Sequence, residues 1–335
     1  MTTGGLSTSR LILFAGLTLI ASTARADHPG LDFGAATAGP IRTVASATLP
    51  EGAVAAGVQI EYARTRQFTD DQLKGFAAQN VAAHSLDAVA TTALGLSYGV
   101  TDDLTLGLRL PYVRRTNIRE GESATEVHAH GDSTGAGDLT MLAKFRVLKD
   151  LEGDGAALLL GIKAPTGNTH RNDLDGKRLE TEHQPGSGSW DAIVGAAATT
   201  HLGSAGLHAS VLYSIAGMGA RQTRLGNRAQ YGVALAWRLG GETHSHERGA
   251  VEAHPHDAWD LMLELNGEWE DRQRIAEVAD PNSGGRRIYL SPGVRFVSES
   301  GWAAYASLGI PFAQHQNGTQ TRARGRLIAG FAIGF

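Results

Sequence analysis

Cysteine is absent from the 335 residues. Its absence excludes thiolate metal centres, cysteine nucleophiles and disulfide staples, and fits an exported chain held by ladder hydrogen bonds. Proline is scarce at 10 residues against 43 glycines, a balance that suits many tight turns and crowded sheet walls more than helices. Beyond the N-terminal segment no stretch reaches the roughly 18 consecutive apolar residues a membrane helix needs. The net charge of −4 carries no basic excess for nucleic acid. A phosphate cradle is also missing, because Gly135-Ala136-Gly137 leads into a strand pattern rather than a helix.

What is present begins with the ends. Arg10, the apolar run from Leu11 to Ile20 and Ala24-Arg25-Ala26 have the form of a secretory signal peptide, so residues 1–26 are expected to be cleaved. Near the other end Leu327, Ala329, Phe331, Ile333 and Phe335 share one face of a strand, with Arg322, Arg324 and Arg326 on the other. An apolar stripe opposed by an arginine ladder suits lipid on one side and a wet lumen on the other. Phe331, Ile333 and Phe335 also resemble the terminal signal by which the barrel assembly machinery recognises its clients.

Between residues 51 and 335 we read about twelve alternating strands: 52–63, 86–100, 103–115, 136–148, 155–166, 188–201, 206–218, 228–240, 258–270, 286–297, 301–313 and 322–335. The third sends Leu104, Leu106, Leu108, Leu110 and Tyr112 one way and Thr105, Gly107 and Arg109 the other. In the ninth, Trp259, Leu261, Leu263, Leu265 and Trp269 oppose Asp260, Glu264 and Glu268. Tyr112, Trp259, Trp269, Trp302 and Phe312 are placed where interfacial girdles belong. Short connections alternate with the long polar ones 64–85, 116–135, 167–187 and 271–285, although 241–257 is long on the short side. The expected fold is all-β: a transmembrane antiparallel barrel in the outer membrane of a Gram-negative bacterium, both termini periplasmic. Residues 27–50 are left as a periplasmic tail or a small plug.

Several of these segments carry a family resemblance. Leu96-Ser97-Tyr98-Gly99-Val100-Thr101-Asp102-Asp103-Leu104 leads to Leu110-Pro111-Tyr112, followed by Gly135-Ala136-Gly137-Asp138-Leu139, Lys163-Ala164-Pro165-Thr166-Gly167 and Pro185-Gly186-Ser187-Gly188-Ser189-Trp190-Asp191. This order resembles the outer-membrane proteins of the meta-pathway phenol-degradation family, often labelled transporters. The resemblance implies a barrel that assists passage of aromatic or other small compounds, and it carries no catalytic residues.

Parity assigns to the lumen Arg109, Lys144, Arg146, Lys163, Arg238, Arg287, Arg295, Arg322, Arg324 and Arg326, opposed by Glu61, Asp87, Asp138, Asp191, Asp260, Glu264 and Glu268. Such charges either pair into an internal salt-bridge network or form a selective constriction, in which case the arginine wall predicts a slight anion preference. The 13 histidines include His128-Ala129-His130, His244-Ser245-His246 and His254-Pro255-His256. These are candidate zinc or copper ligands, against the plainer reading of solvated loops. His208-Ala209-Ser210 is the one strand-borne pair that a lipid hydrolase would use, but it points into the lumen near the periplasmic end. The leading expectation is a non-enzymatic channel, with small solutes and membrane lipids as partners and no resident cofactor. A metal-binding or uptake barrel and a closed structural barrel are the alternatives.

Overall fold

In the computed structural model, which describes residues 39–149, 154–203, 205–240 and 257–335, the alternating segments close into a ring of twelve antiparallel strands. Numbering only the strands of the wall, these are β1 Val54–Arg66, β2 Ala88–Thr101, β3 Leu104–Gly121, β4 Leu139–Lys149, β5 Gly155–Ala164 and β6 Asp191–Leu202. Then follow β7 Ala205–Ile215, β8 Arg228–Gly240, β9 Ala258–Glu270, β10 Gly285–Val297, β11 Trp302–Gln316 and β12 Arg322–Gly334. Each pairs with its neighbour in sequence, and β12 closes on β1 through a register running from Ala55 opposite Gly334 to Arg66 opposite Arg322. Closure removes the unpaired edges that an open sheet would present. The signal-peptide region and residues 27–38 lie outside the described residues, as do His244, His246, His254 and His256.

The period-two pattern decides the faces. Leu94, Leu96, Leu106, Leu108, Leu110, Leu158, Leu160, Leu261, Leu263 and Leu265 are all exposed on the outer surface. Thr105, Lys144, Asp260, Glu264, Arg295 and Arg326 are buried inside. A belt of exposed leucines this extensive would aggregate in water, so its solvent is hydrocarbon. At the short-turn end Trp259, Phe296, Trp302 and Phe331 touch in series, with ring centroids 5.0, 5.3 and 5.7 Å apart. Tyr112, Trp269 and Phe312 are exposed towards the long-loop end. One inward crossing shows why glycine is needed in the wall. The Tyr305 ring lies over Gly330, its cross-strand partner, where any Cβ would collide with the phenol.

The long connections are more structured than their polarity predicts. The segment expected as loop 116–135 is mostly a hairpin: β3 runs on to Gly121 and its upper half pairs with the strand Val127–Ala136. The 64–85 connection holds a helix, Asp70–Ala77, started by a reciprocal capping box between Thr69 and Gln72. Three two-residue strands, Thr223–Arg224, Arg274–Ile275 and Val278–Ala279, form a small separate sheet between loops. Strands β4 and β6 start at Leu139 and Asp191 rather than at 136 and 188, because Asp138 and Ser187 are drawn together inside the bore. The Ser187 N–H donates to Asp138 Oδ2 at 2.9 Å.

Candidate functional site

Residues 39–50 run inside the barrel. Leu49 N donates to Thr105 Oγ1 at 2.8 Å near the short-turn end, Ser46 N to Thr199 Oγ1 at 3.1 Å, and Val44 N to Ser210 Oγ at 3.0 Å. At the apex Glu264, 1% exposed, accepts the backbone N–H groups of Ile41 (2.8 Å), Arg42 (3.1 Å) and Thr43 (2.8 Å), together with the Thr43 hydroxyl. The chain then turns back, so that Arg295 donates to the carbonyl oxygens of Gly39 and Pro40. Lys144 Nζ donates to Ala45 O at 3.2 Å. Apolar contacts complete the seat. Ile41 packs with Met262, Tyr305 and Ile328, and Val44 with Leu142 and Leu159. An extended segment in a bore has no ladder of its own, so the wall must supply partners for its backbone.

This seat changes how several lumen charges are read. Glu264, expected to oppose arginines, instead holds three amide groups of the inserted segment. Arg238 pairs with Asp260 through two bonds of 2.8 and 3.0 Å beneath it. Above the apex, Arg42 reaches Glu61 at 2.9 Å and Glu268 at 2.5 Å, and Arg326 joins Glu268 at 2.6 Å while stacking on Tyr289. The central ion cluster thus depends on Arg42, a residue outside every strand, which strand parity has no means of finding. Not every expected lumen residue is central. Arg146 pairs with Asp103 at the short-turn end, Arg287 lines an outer cavity, and Arg322 and Arg324 are exposed at the long-loop end. Asp87 precedes β2 and accepts from the Asn117 amide at 3.0 Å.

Three of the sequence motifs converge on one node. Lys163 Nζ lies 2.6 Å from Asp191 Oδ2, 3.3 Å from Asp138 Oδ2 and 2.7 Å from Ser187 Oγ. Asp138 also accepts the Gly167 and Ser187 N–H groups, and Ser189 donates to Asp191 at 2.7 Å. Gly167 and Gly186 meet backbone to backbone, with no room for a Cβ on either. The node pins both ends of loop 167–187, and Arg115 Nη1 binds Gln184 O at 2.9 Å further in. The loop consequently dips into the mouth of the barrel.

Two adjoining spaces result. One of about 500 Å³ lies between the inserted segment and the dipping loop, with Arg42, Glu61, Arg109, Lys163 and Glu268 on one side and Leu142, Ile193 and Leu212 on the other. A second of about 510 Å³ opens towards the long loops and shares Arg115, Glu182 and Arg228 with the first.

At the rim of the second space histidines and carboxylates gather. His84 Nε2 lies 3.3 Å from Glu120 and 3.6 Å from Glu180, and its Nδ1 is 3.5 Å from Glu182. His130 faces Glu120 and Asp173, both at 3.5 Å, and His128 faces Asp173 at 3.4 Å. Burial pulls the His84 pKa down, but the Glu120 hydrogen bond and the charges of Glu182, Glu120 and Glu180 outweigh it and raise it to about 9. His183 goes the other way: burial first, then the charges of His84 and Arg115, push it well below the usual range. Glu120 is held far down by its hydrogen bonds from His130 and His84. His128 and His130 therefore do meet carboxylates, whereas His84 and His183, isolated in the sequence, were not foreseen.

The pair His208 and Ser210 serves the bore. His208 is buried with Nδ1 3.1 Å from the Thr199 hydroxyl, and Ser210 accepts from Val44. Neither side chain is offered to lipid.

A model of the family described as "Putative MetA-pathway of phenol degradation" matches residues 89–316. Among solved structures, an outer membrane channel from Pseudomonas putida F1 is similar at 20% identity with a TM-score of 0.57, covering 87% of this chain and 98% of that one. The beta domain of a Bordetella autotransporter aligns at 13% identity and TM-score 0.46, covering 85% and 100%. LpxR from Salmonella typhimurium aligns at 14% and 0.41, covering 83% and 99%. No curated protein matches the sequence. The first likeness shows a shared outer-membrane barrel fold.

Proposed function

The chain belongs to the family whose model spans residues 89–316, and from that premise we propose that it is an outer-membrane channel for small organic solutes, phenol-like aromatics among them. In this reading the long loops face outward, and both termini and the short turns face the periplasm. A signal peptide directs export, and the β12 terminus is read by the assembly machinery. The solved channel similar in fold supports the architecture, and the family description supports the solute class.

The observation that carries the reading is the pair of adjoining spaces leading from the loop rim down to the inserted segment. The inner one has a charged wall and an apolar wall. A ring bearing one polar group can desolvate its face on Leu142, Ile193 and Leu212 while its hydroxyl meets the Arg42–Glu268 side. A sugar, polar all round, leaves hydroxyls against the apolar wall. The lining holds five cationic and six acidic side chains, so it is nearly balanced. The slight anion preference read from parity is accordingly replaced by weak charge selectivity. The structure offers no lipid-facing nucleophile in the His208–Ser210 pair, which favours transport over lipid hydrolysis.

Liposome swelling tests this. Vesicles carrying the protein should admit hydroxybenzoate-like solutes clearly faster than a sugar of similar mass. Swelling no faster than in protein-free vesicles for every solute would leave the closed structural barrel as the correct description.

A further inference from the structure

We propose that the long-loop mouth carries a binding site for one divalent transition-metal cation of the zinc class, ligated by His84, Glu180, Glu182 and His183. One ligand atom from each of these four lies within 4.8 Å of every other. Zinc arms of about 2.0–2.1 Å set tetrahedral ligands roughly 3.3 Å apart. The separations of 3.5 Å from His183 Nε2 and from His84 Nδ1 to the same Glu182 oxygen are close to that edge. Two imidazoles and two carboxylates form a borderline donor set suited to zinc more than to magnesium or calcium, which take oxygen ligands alone.

A second observation points the same way. His183 is only 4% exposed, and its Nε2 has no hydrogen-bond partner although it is aimed into this cluster. Buried ring nitrogens normally find a donor or acceptor. A cation would satisfy His183 Nε2. The surroundings supply the outer support that metal sites use: with Nδ1 of His84 as the ligand, its Nε2 keeps the Glu120 carboxylate at 3.3 Å. Glu182 also accepts from the Gln273 amide.

The ligands come from two connections. Glu180, Glu182 and His183 sit together on the turn of the dipping loop, and His84 is held by its pairing opposite Glu120 of β3. A bound ion would therefore staple loop 167–187 to the 64–85 connection directly above the bore. This inference stands apart from the choice of organic solute.

Calorimetric titration of the full chain, folded in detergent, with zinc chloride tests it. One saturable site is expected, weakened at least about tenfold by His183→Ala and by Glu180→Gln, and unchanged by His128→Ala. Zinc X-ray absorption should show two imidazoles in the native site and one in His84→Gln, with gel mobility confirming that each variant keeps its barrel. Absence of saturable binding, or binding and imidazole count unaltered in His183→Ala and His84→Gln, would overturn the assignment. The unaltered case would move zinc to other histidines.

Discussion

At the residue scale, the same side-chain type does different work according to its height on the wall. Glu264 and Glu270 are six positions apart on one strand and point inward alike. Glu264 holds the inserted backbone, whereas Glu270 pairs with Arg228. Gly330 is the contrasting case, useful for what it lacks. The Tyr305 phenol fills the space a side chain would take. Gly330→Val forces either the ring or β12 to move, and overpacking of this kind typically costs about 1–3 kcal/mol. Urea unfolding in detergent should show the variant destabilised by that order, and equal midpoints would mean that the ring and glycine are not interlocked.

At the scale of elements, the strands were legible because each is long and alternates between two solvents. Leu104 to Tyr112 and Trp259 to Trp269 announce their faces without any knowledge of neighbours. The ends were less so. The strands expected to start at 136 and 188 start later because Ser187 bonds to Asp138 and draws the chain inward, and only the three-dimensional meeting of Asp138, Lys163 and Ser187 reveals this. The three glycine-rich motifs were visible separately, and their convergence was not. Residues 39–50 have no alternation to read, because their partners are wall side chains dispersed from Thr105 to Arg295. The clustering of His84 with Glu180 to His183 is hidden for the same reason. The node makes its own prediction. Asp138→Ala removes the acceptor for Gly167 and Ser187, so trypsin should cut loop 167–187 at Arg171, Lys177 or Arg178 several-fold faster while the barrel stays folded. Unchanged cleavage would show that the loop is held by other contacts.

At the scale of the whole molecule, a closed wall in hydrocarbon leaves the bore open to water, and among the described residues the bore contains two obstructions of different origin. One is the inserted segment 39–50, seated on Glu264; the other is loop 167–187, tied to the Lys163 node. Between and above them lie the spaces in which a small solute would reside. Passage therefore requires the lower obstruction to yield, and its strongest polar anchor is a single carboxylate. Removing that anchor leaves three amides without their acceptor at a cost of about 1–3 kcal/mol each when buried. The most direct measurement is single-channel recording in planar bilayers of the native protein beside Glu264→Ala. Larger or more frequent conductance steps in the variant, above small steps in the native protein, are the expected result. Identical traces, or no conductance from either, would contradict a solute path controlled by the inserted segment.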